Sequence, residues 1–141
     1  MNLSHETGAP KRRPHDPLHG PNLQHCGFSD CQALYEAMTL MGKLAMGYMN
    51  QPRMQASRGE SGTIGYTAAG EFFDDLMNWL FIERDRVADE VRFRLSLQKG
   101  PDSDQAIFLL QCAVHSTDDM AELAATAATL ALDVDRARRR A

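Results

Sequence analysis

The sequence has few cysteines, no long apolar run and, over one long stretch, no lysine or arginine. Its three cysteines, Cys26, Cys31 and Cys112, are few and odd in number, which argues against a disulfide framework. No apolar run approaches the roughly 20 residues that a helix needs to span a bilayer, so we expect no membrane segment. The first ten residues also lack the apolar stretch of a secretory signal, and we therefore expect a cytoplasmic protein.

Lysine and arginine are absent between Lys99 and Arg136, although this stretch is rich in acidic residues. Its acidic side chains are those of Asp102, Asp104, Asp118, Asp119, Glu122, Asp133 and Asp135. Such a stretch repels a phosphate backbone, so we do not expect nucleic acid to be the partner. The arginines at positions 136 and 138–140 are interpreted as cations that stabilise the carbonyl end of a helix. Contact with an anion or a nucleic acid is the competing interpretation.

Apolar residues recur at helical spacing through most of the chain, and 43% hydrophobic residues are enough for one continuous core. The pattern predicts an all-α fold, an antiparallel helical bundle of three or four helices that occupies residues 29–141. Residues 1–28 lack this period and hold four of the six prolines and four of the five histidines. Because proline fixes φ and removes a backbone donor, we expect residues 1–28 to form a flexible Pro/His-rich N-terminal arm.

The first two helices have clear start and stop signals. Ser29, with Gln32 three residues later, predicts a capped start, and Pro52 predicts an end near Asn50. Thr67 is the expected cap of a second helix that runs to about Gln98. The first half of this second helix is apolar nearly all round, so we expect it to form the centre of the core.

Residues 102–140 continue the helical pattern, and either one rod or two pieces would satisfy it. Ser116 followed by Asp119 is a capping signature, and we favour two collinear or slightly bent pieces over a single rod. The last stretch carries alanine where other helices carry leucine, which predicts a close approach to a large neighbour. The second helix and the helical stretch that follows it are both long. Together they present more apolar surface than the shorter first helix can cover, so we expect self-association.

Histidine and cysteine cluster near the predicted arm, at His15, His19, His25, Cys26 and Cys31. Imidazole and thiolate are the usual ligands of zinc, so the set His15, His19, Cys26 and Cys31 is a candidate zinc site. The spacing is poor, however, because the Cys-x2-Cys pair of structural zinc sites is missing. A solvated arm without metal is the preferred interpretation.

Carboxylates form a second candidate site on the helices. Two groups are spaced at three or four residues, and they are Glu71, Asp74 and Asp75 on one helix and Asp118, Asp119 and Glu122 on another. Two such faces would hold magnesium or manganese, as in a small metal-dependent hydrolase of helical type. The second group has no lysine or arginine nearby to bind substrate phosphates, so acidic residues that complement helix dipoles are the preferred interpretation.

Methionine and tyrosine cluster in the first helix, where they fit either a core or an adaptable partner-binding face. The candidate contacts are Met38, Met41, Tyr48 and Met49, with an acidic ridge of Asp118, Asp119 and Glu122 as a dock for a basic partner. We therefore expect a non-enzymatic interaction protein, an adaptor or regulatory subunit, that acts as a homo-oligomer. The metal-dependent hydrolase is the alternative.

Overall fold

The computed structural model describes residues 20–56, 65–98 and 100–140, and these residues form an all-α fold, as the sequence predicts. The four α-helices are α1 (Phe28–Met49), α2 (Ala68–Ser96), α3 (Ser103–Ser116) and α4 (Met120–Arg138), with 3-10 turns at Leu23–His25 and Pro52–Met54. No helix within these ranges is long and apolar enough to cross a membrane.

The chain divides into two compact units, and α2 contributes to both. The α1 unit comprises residues 26–89, and the hairpin unit comprises residues 90–140 together with residues 20–25. Residues 1–19, which make up most of the predicted arm, lie outside the described residues. The predicted division into residues 1–28 and 29–141 stays a prediction.

In the α1 unit, α1 and the first part of α2 run antiparallel. The ring of Tyr48, near the end of α1, stacks on Phe73, near the start of α2, with centroids 5.4 Å apart. Tyr35, near the start of α1, lies beneath the guanidinium of Arg84, whose Cζ is 5.8 Å from the ring centroid. Between these two contacts, Gly42 lies against the ring of Phe81. Positions from the start to the end of α1 therefore contact positions from the later to the earlier part of this segment of α2, as antiparallel helices require.

The helices of the α1 unit begin and end close to the predicted positions. α1 starts at Phe28, and the prediction that Ser29 caps it is wrong: the cap position is Gly27, whose N–H donates to the Asp30 carboxylate at 2.8 Å. Thr67 caps α2 as predicted, since its hydroxyl oxygen accepts from the Gly70 N–H at 3.2 Å. The same hydroxyl donates to the carbonyl oxygen of Met54 at 3.1 Å, which attaches the start of α2 to the preceding turn.

In the hairpin unit, α3 and α4 are two separate helices that pack antiparallel. Arg138, at the end of α4, donates a hydrogen bond from Nη2 to the Ser103 hydroxyl at the start of α3, at 3.0 Å. Because Thr117 is extended and Asp119 caps α4, the chain reverses between the helices. The prediction of two pieces is confirmed, whereas their collinear arrangement is wrong.

The start of α3 and the residues before α1 also belong to the hairpin unit. Gly100 has φ +125°, a conformation that favours glycine, and Asp102 caps α3 in a reciprocal capping box with Gln105. Leu23 is buried, and its carbonyl oxygen accepts a hydrogen bond from the guanidinium of Arg94. Residues 20–25 therefore pack on this unit.

The core does not lie where the sequence predicts it. The buried apolar side chains of the second helix are Leu80, Val87, Ala88 and Val91, in its middle and second half. Phe72, Trp79 and Ile82, in the half predicted to be central, are between 41% and 65% exposed. The prediction of a core centred on this half is wrong, because α1 covers one face of it and leaves another uncovered.

The alanine-rich helix α4 also packs differently from the prediction, since none of its residues is fully buried. Its half-buried residues are Leu123, Thr126, Ala127, Leu130, Asp133, Val134 and Ala137. The alanines at positions 121, 124, 125, 128 and 131 are exposed instead. Close approach through these alanines is therefore not seen, because leucine and valine supply the face that packs.

Candidate interaction surfaces

One side of α1 is an exposed apolar stripe, which we call the α1 face. It consists of Ala33, Ala37, Leu40, Met41, Leu44 and Tyr48, all exposed, with the four large side chains between 44% and 61% exposed. At 100° per residue these six positions lie within about 50° of one direction. The buried side of the helix, centred near Gly42 and Met49, lies about 140° away.

The α1 face has the size of a functional patch. A side chain of this size that is half exposed presents about 100 Å², so the four large residues present about 400 Å². The largest apolar patch on a typical monomer covers about 300–600 Å² and is often a binding site. The α1 face alone is therefore already of that order.

The four side chains predicted for partner contact fall on different sides of α1. Met41 and Tyr48 are exposed on the α1 face, whereas Met38 and Met49 are buried and fill the interior. The buried pair is therefore removed from the candidate surface. Leu40 and Leu44 replace them. The sequence did not single these two out, because apolar residues lie on several sides of α1 and their spacing does not show which side faces outward.

The first half of α2 carries a second exposed stripe, the α2 face, made of Phe72, Leu76, Trp79 and Ile82. Leu76 is half-buried and the other three are exposed. Carboxylates stand beside the stripe at Glu71 and Asp75, and no lysine or arginine occurs between residues 65 and 83. The α2 face is therefore apolar with an acidic margin.

Aromatic contacts connect the two faces. Tyr48, on the α1 face, stacks on Phe73 with ring centroids 5.4 Å apart and an interplanar angle of 14°. Phe73 in turn meets Phe72, on the α2 face, edge to face with centroids 5.5 Å apart. The two apolar stripes are thus continuous at one end of the α1 unit.

The acidic ridge at the start of α4 is occupied by local hydrogen bonds. The Asp119 carboxylate accepts from the backbone N–H groups of Ala121, at 2.8 Å, and Glu122, at 3.3 Å. The Glu122 carboxylate accepts from the Thr117 hydroxyl at 2.9 Å. These contacts are those of a helix cap, with Asp118 exposed beside them. A basic partner at Asp118, Asp119 and Glu122 stays a prediction.

Two of the four candidate zinc ligands lie in the part of the chain that the structure describes. His15 and His19 lie outside the described residues, Cys26 is half-buried and Cys31 is buried in the first turn of α1. The zinc hypothesis therefore stays a prediction. In the ranges that the structure describes, no group of three or more His, Cys, Asp or Glu side chains is arranged to hold a metal ion.

The carboxylates of the hydrolase alternative belong to different units. Glu71, Asp74 and Asp75 lie near the start of α2 in the α1 unit, and the other three carboxylates lie at the start of α4 in the hairpin unit. The two groups remain separate candidates, and the hydrolase stays a prediction.

The arginines near the end of α4 make contacts within their own unit. Arg136 pairs with Asp133 at 3.3 Å and Arg139 with Asp135 at 2.6 Å, each within one turn. These exposed pairs are worth little individually. They place the cations at the carbonyl end of the helix, where the backbone dipole favours them.

Comparison with other proteins adds no assignment to these surfaces. The chain matches no protein-family model, no curated protein and no solved structure.

Proposed function

We propose that this protein is a non-enzymatic helical interaction protein, an adaptor or regulatory subunit, that acts as a homo-oligomer in the cytoplasm. The observation that carries the proposal is the exposure of seven large apolar side chains on two adjoining stripes of the α1 unit, each between 41% and 65% exposed. Together they present about 700 Å² of apolar surface. A specific interface buries about 800 Å² per partner, so the exposed stripes are of the right size.

The two faces differ in charge, which supports two separate roles. The α1 face contains no charged residue among its six members, so an identical copy meets no like charge at its centre. The α2 face has carboxylates at its margin, and Glu71 and Asp75 would attract lysine or arginine. An apolar helix with basic flanks is the kind of partner that this second face fits.

Mass measurement of the intact chain under native conditions, with and without a chelator, tests the proposal. We expect a metal-free dimer or larger oligomer whose mass does not change when the chelator is added. A monomer at all concentrations would remove the basis of the proposal.

The same measurement distinguishes the alternative. One magnesium or manganese ion per chain, removed by the chelator, would support the metal-dependent hydrolase. Stoichiometric zinc that is lost from variants of His15 or His19 would assign the metal to the arm.

A further inference from the structure

We infer that two copies of this chain pair through their α1 faces, with the two α1 helices antiparallel about a two-fold axis near Leu40 and Met41. The inference depends on the proposed self-association and specifies its surface and orientation. A two-fold pairing requires one patch that is complementary to itself. The α1 face meets this requirement in both shape and charge.

The shape argument is the distribution of small and large side chains along the stripe. The small residues, Ala33 and Ala37, lie at one end, and Tyr48 lies at the other. In an antiparallel pair centred between residues 40 and 41, Ala33 lies level with Tyr48 of the second copy, and Ala37 with Leu44. Each small residue then meets a large one, as close packing requires. A parallel pair would place alanine on alanine and tyrosine on tyrosine.

The charge argument comes from two residues on the same flank of the stripe. Glu36 and Lys43 are exposed, are seven residues apart and lie about 100° to the same side of the α1 face. In the antiparallel pair, this flank lies beside the same flank of the other copy. Measured along the helix axis, Glu36 of one chain and Lys43 of the other are then offset by only about 3 Å. Two opposite-charge pairs result, related by the two-fold axis.

A hydrogen bond within α1 orients one of these charges. Gln32 donates from Nε2 to the Glu36 carboxylate at 3.2 Å, one turn earlier on the same flank. The Gln32 amide therefore helps to hold the Glu36 carboxylate on the flank where it would meet Lys43 of the other chain.

The area of the α1 face sets the expected strength. About 400 Å² of large apolar side chains per copy is below the roughly 800 Å² of a standard interface. We therefore expect a reversible dimer with a dissociation constant in the micromolar range, about 1–100 μM.

Charge reversal on the full-length chain tests the pairing. Glu36→Lys or Lys43→Glu replaces two attractions with two repulsions, so each should raise the dissociation constant about tenfold. The double variant E36K/K43E restores both attractions and should return it to within about threefold of the original value. Asp104→Lys, which makes the same charge change on α3 as Glu36→Lys makes on α1, is the control and should leave dimerisation unchanged.

Cysteine cross-linking tests the orientation independently. An equimolar mixture of Ala33→Cys and Tyr48→Cys chains should form a mixed disulfide under mild oxidation, because an antiparallel pair places these positions level. Ala33→Cys alone should not cross-link beyond the original chain. Efficient cross-linking of A33C to itself, or equal dimerisation of the E36K and original chains, would overturn the antiparallel pairing while leaving self-association standing. A monomer throughout would overturn the proposed function as well.

Discussion

At the residue scale, the two glycines of α1 have different structural roles. A Cβ atom on Gly42 would lie 2.9 Å from Cδ1 and from Cζ of Phe81, closer than side chains pack, whereas one on Gly47 would meet nothing within 4 Å. From the sequence alone, both glycines lower helix propensity, and either would permit close approach by a neighbouring helix. Only the packing of α2 against α1 shows which of them is required.

Substitution of both glycines by alanine separates these roles. Gly42→Ala should lower the free energy of unfolding by about 1–3 kcal/mol, because the new methyl group overlaps the Phe81 ring. Gly47→Ala should raise it by about 0.5–1 kcal/mol, because alanine is the better helix former and has open space there. Urea unfolding of the two variants measures both changes. Similar changes in the two would contradict the close approach of α1 and α2.

At the same scale, the sequence predicted where helices begin and end better than it predicted which residue forms each cap or which residues face a partner. Thr67 is the cap that the sequence predicted. The predicted caps Ser29 and Ser116 are wrong, because Gly27 and Asp119 take these positions two and three residues away. Met38 and Met41 are only three residues apart, yet one is buried and the other exposed. Apolar residues surround much of α1, and tertiary packing alone decides which side faces inward.

At the element scale, the break between α3 and α4 depends on capping. Helical spacing continues through Val114, Thr117 and Ala121, which is why the pattern could not distinguish one rod from two helices. Extended backbone at Thr117 and the cap at Asp119 stop one helix and start the next. Their antiparallel packing follows from tertiary contacts such as that of Arg138 with Ser103, which no local pattern contains.

A pair of neighbouring aspartates tests the cap. Asp119→Ala removes the acceptor of two backbone N–H groups and should lower the free energy of unfolding by about 1 kcal/mol. Asp118→Ala, at an exposed position beside it, should change this free energy by less than about 0.5 kcal/mol. Thermal unfolding with circular dichroism compares the two. If the two variants melted alike, Asp119 would not be the residue that starts α4.

At the scale of the whole molecule, the all-α class and most helix ends followed from the sequence, but the location of the core did not. A helix that is apolar on every side is buried on every side only if the chain supplies enough other helices to cover it. In the α1 unit, one helix covers one face of the first half of α2, and Phe72 remains largely exposed.

Two phenylalanines test this distribution of the core. Phe108→Ala removes a ring that is 0% exposed and should lower the free energy of unfolding by about 3–5 kcal/mol. Phe72→Ala removes a ring that is 62% exposed and should lower it by less than about 1 kcal/mol under conditions in which the chain is monomeric. A large loss for Phe72→Ala at such dilution would place the core where the sequence alone predicted it.

The most direct test of self-association through the α1 unit is sedimentation equilibrium of the intact chain and two matched variants, from sub-micromolar to several hundred micromolar protein. Leu44→Glu and Leu132→Glu place the same charge at leucines of nearly equal exposure, 56% on the α1 face and 58% on α4. We predict a reversible dimer for the original chain and for L132E, and a helical monomer for L44E. A monomeric original chain, or an L44E variant that dimerises as well as L132E, would contradict the account.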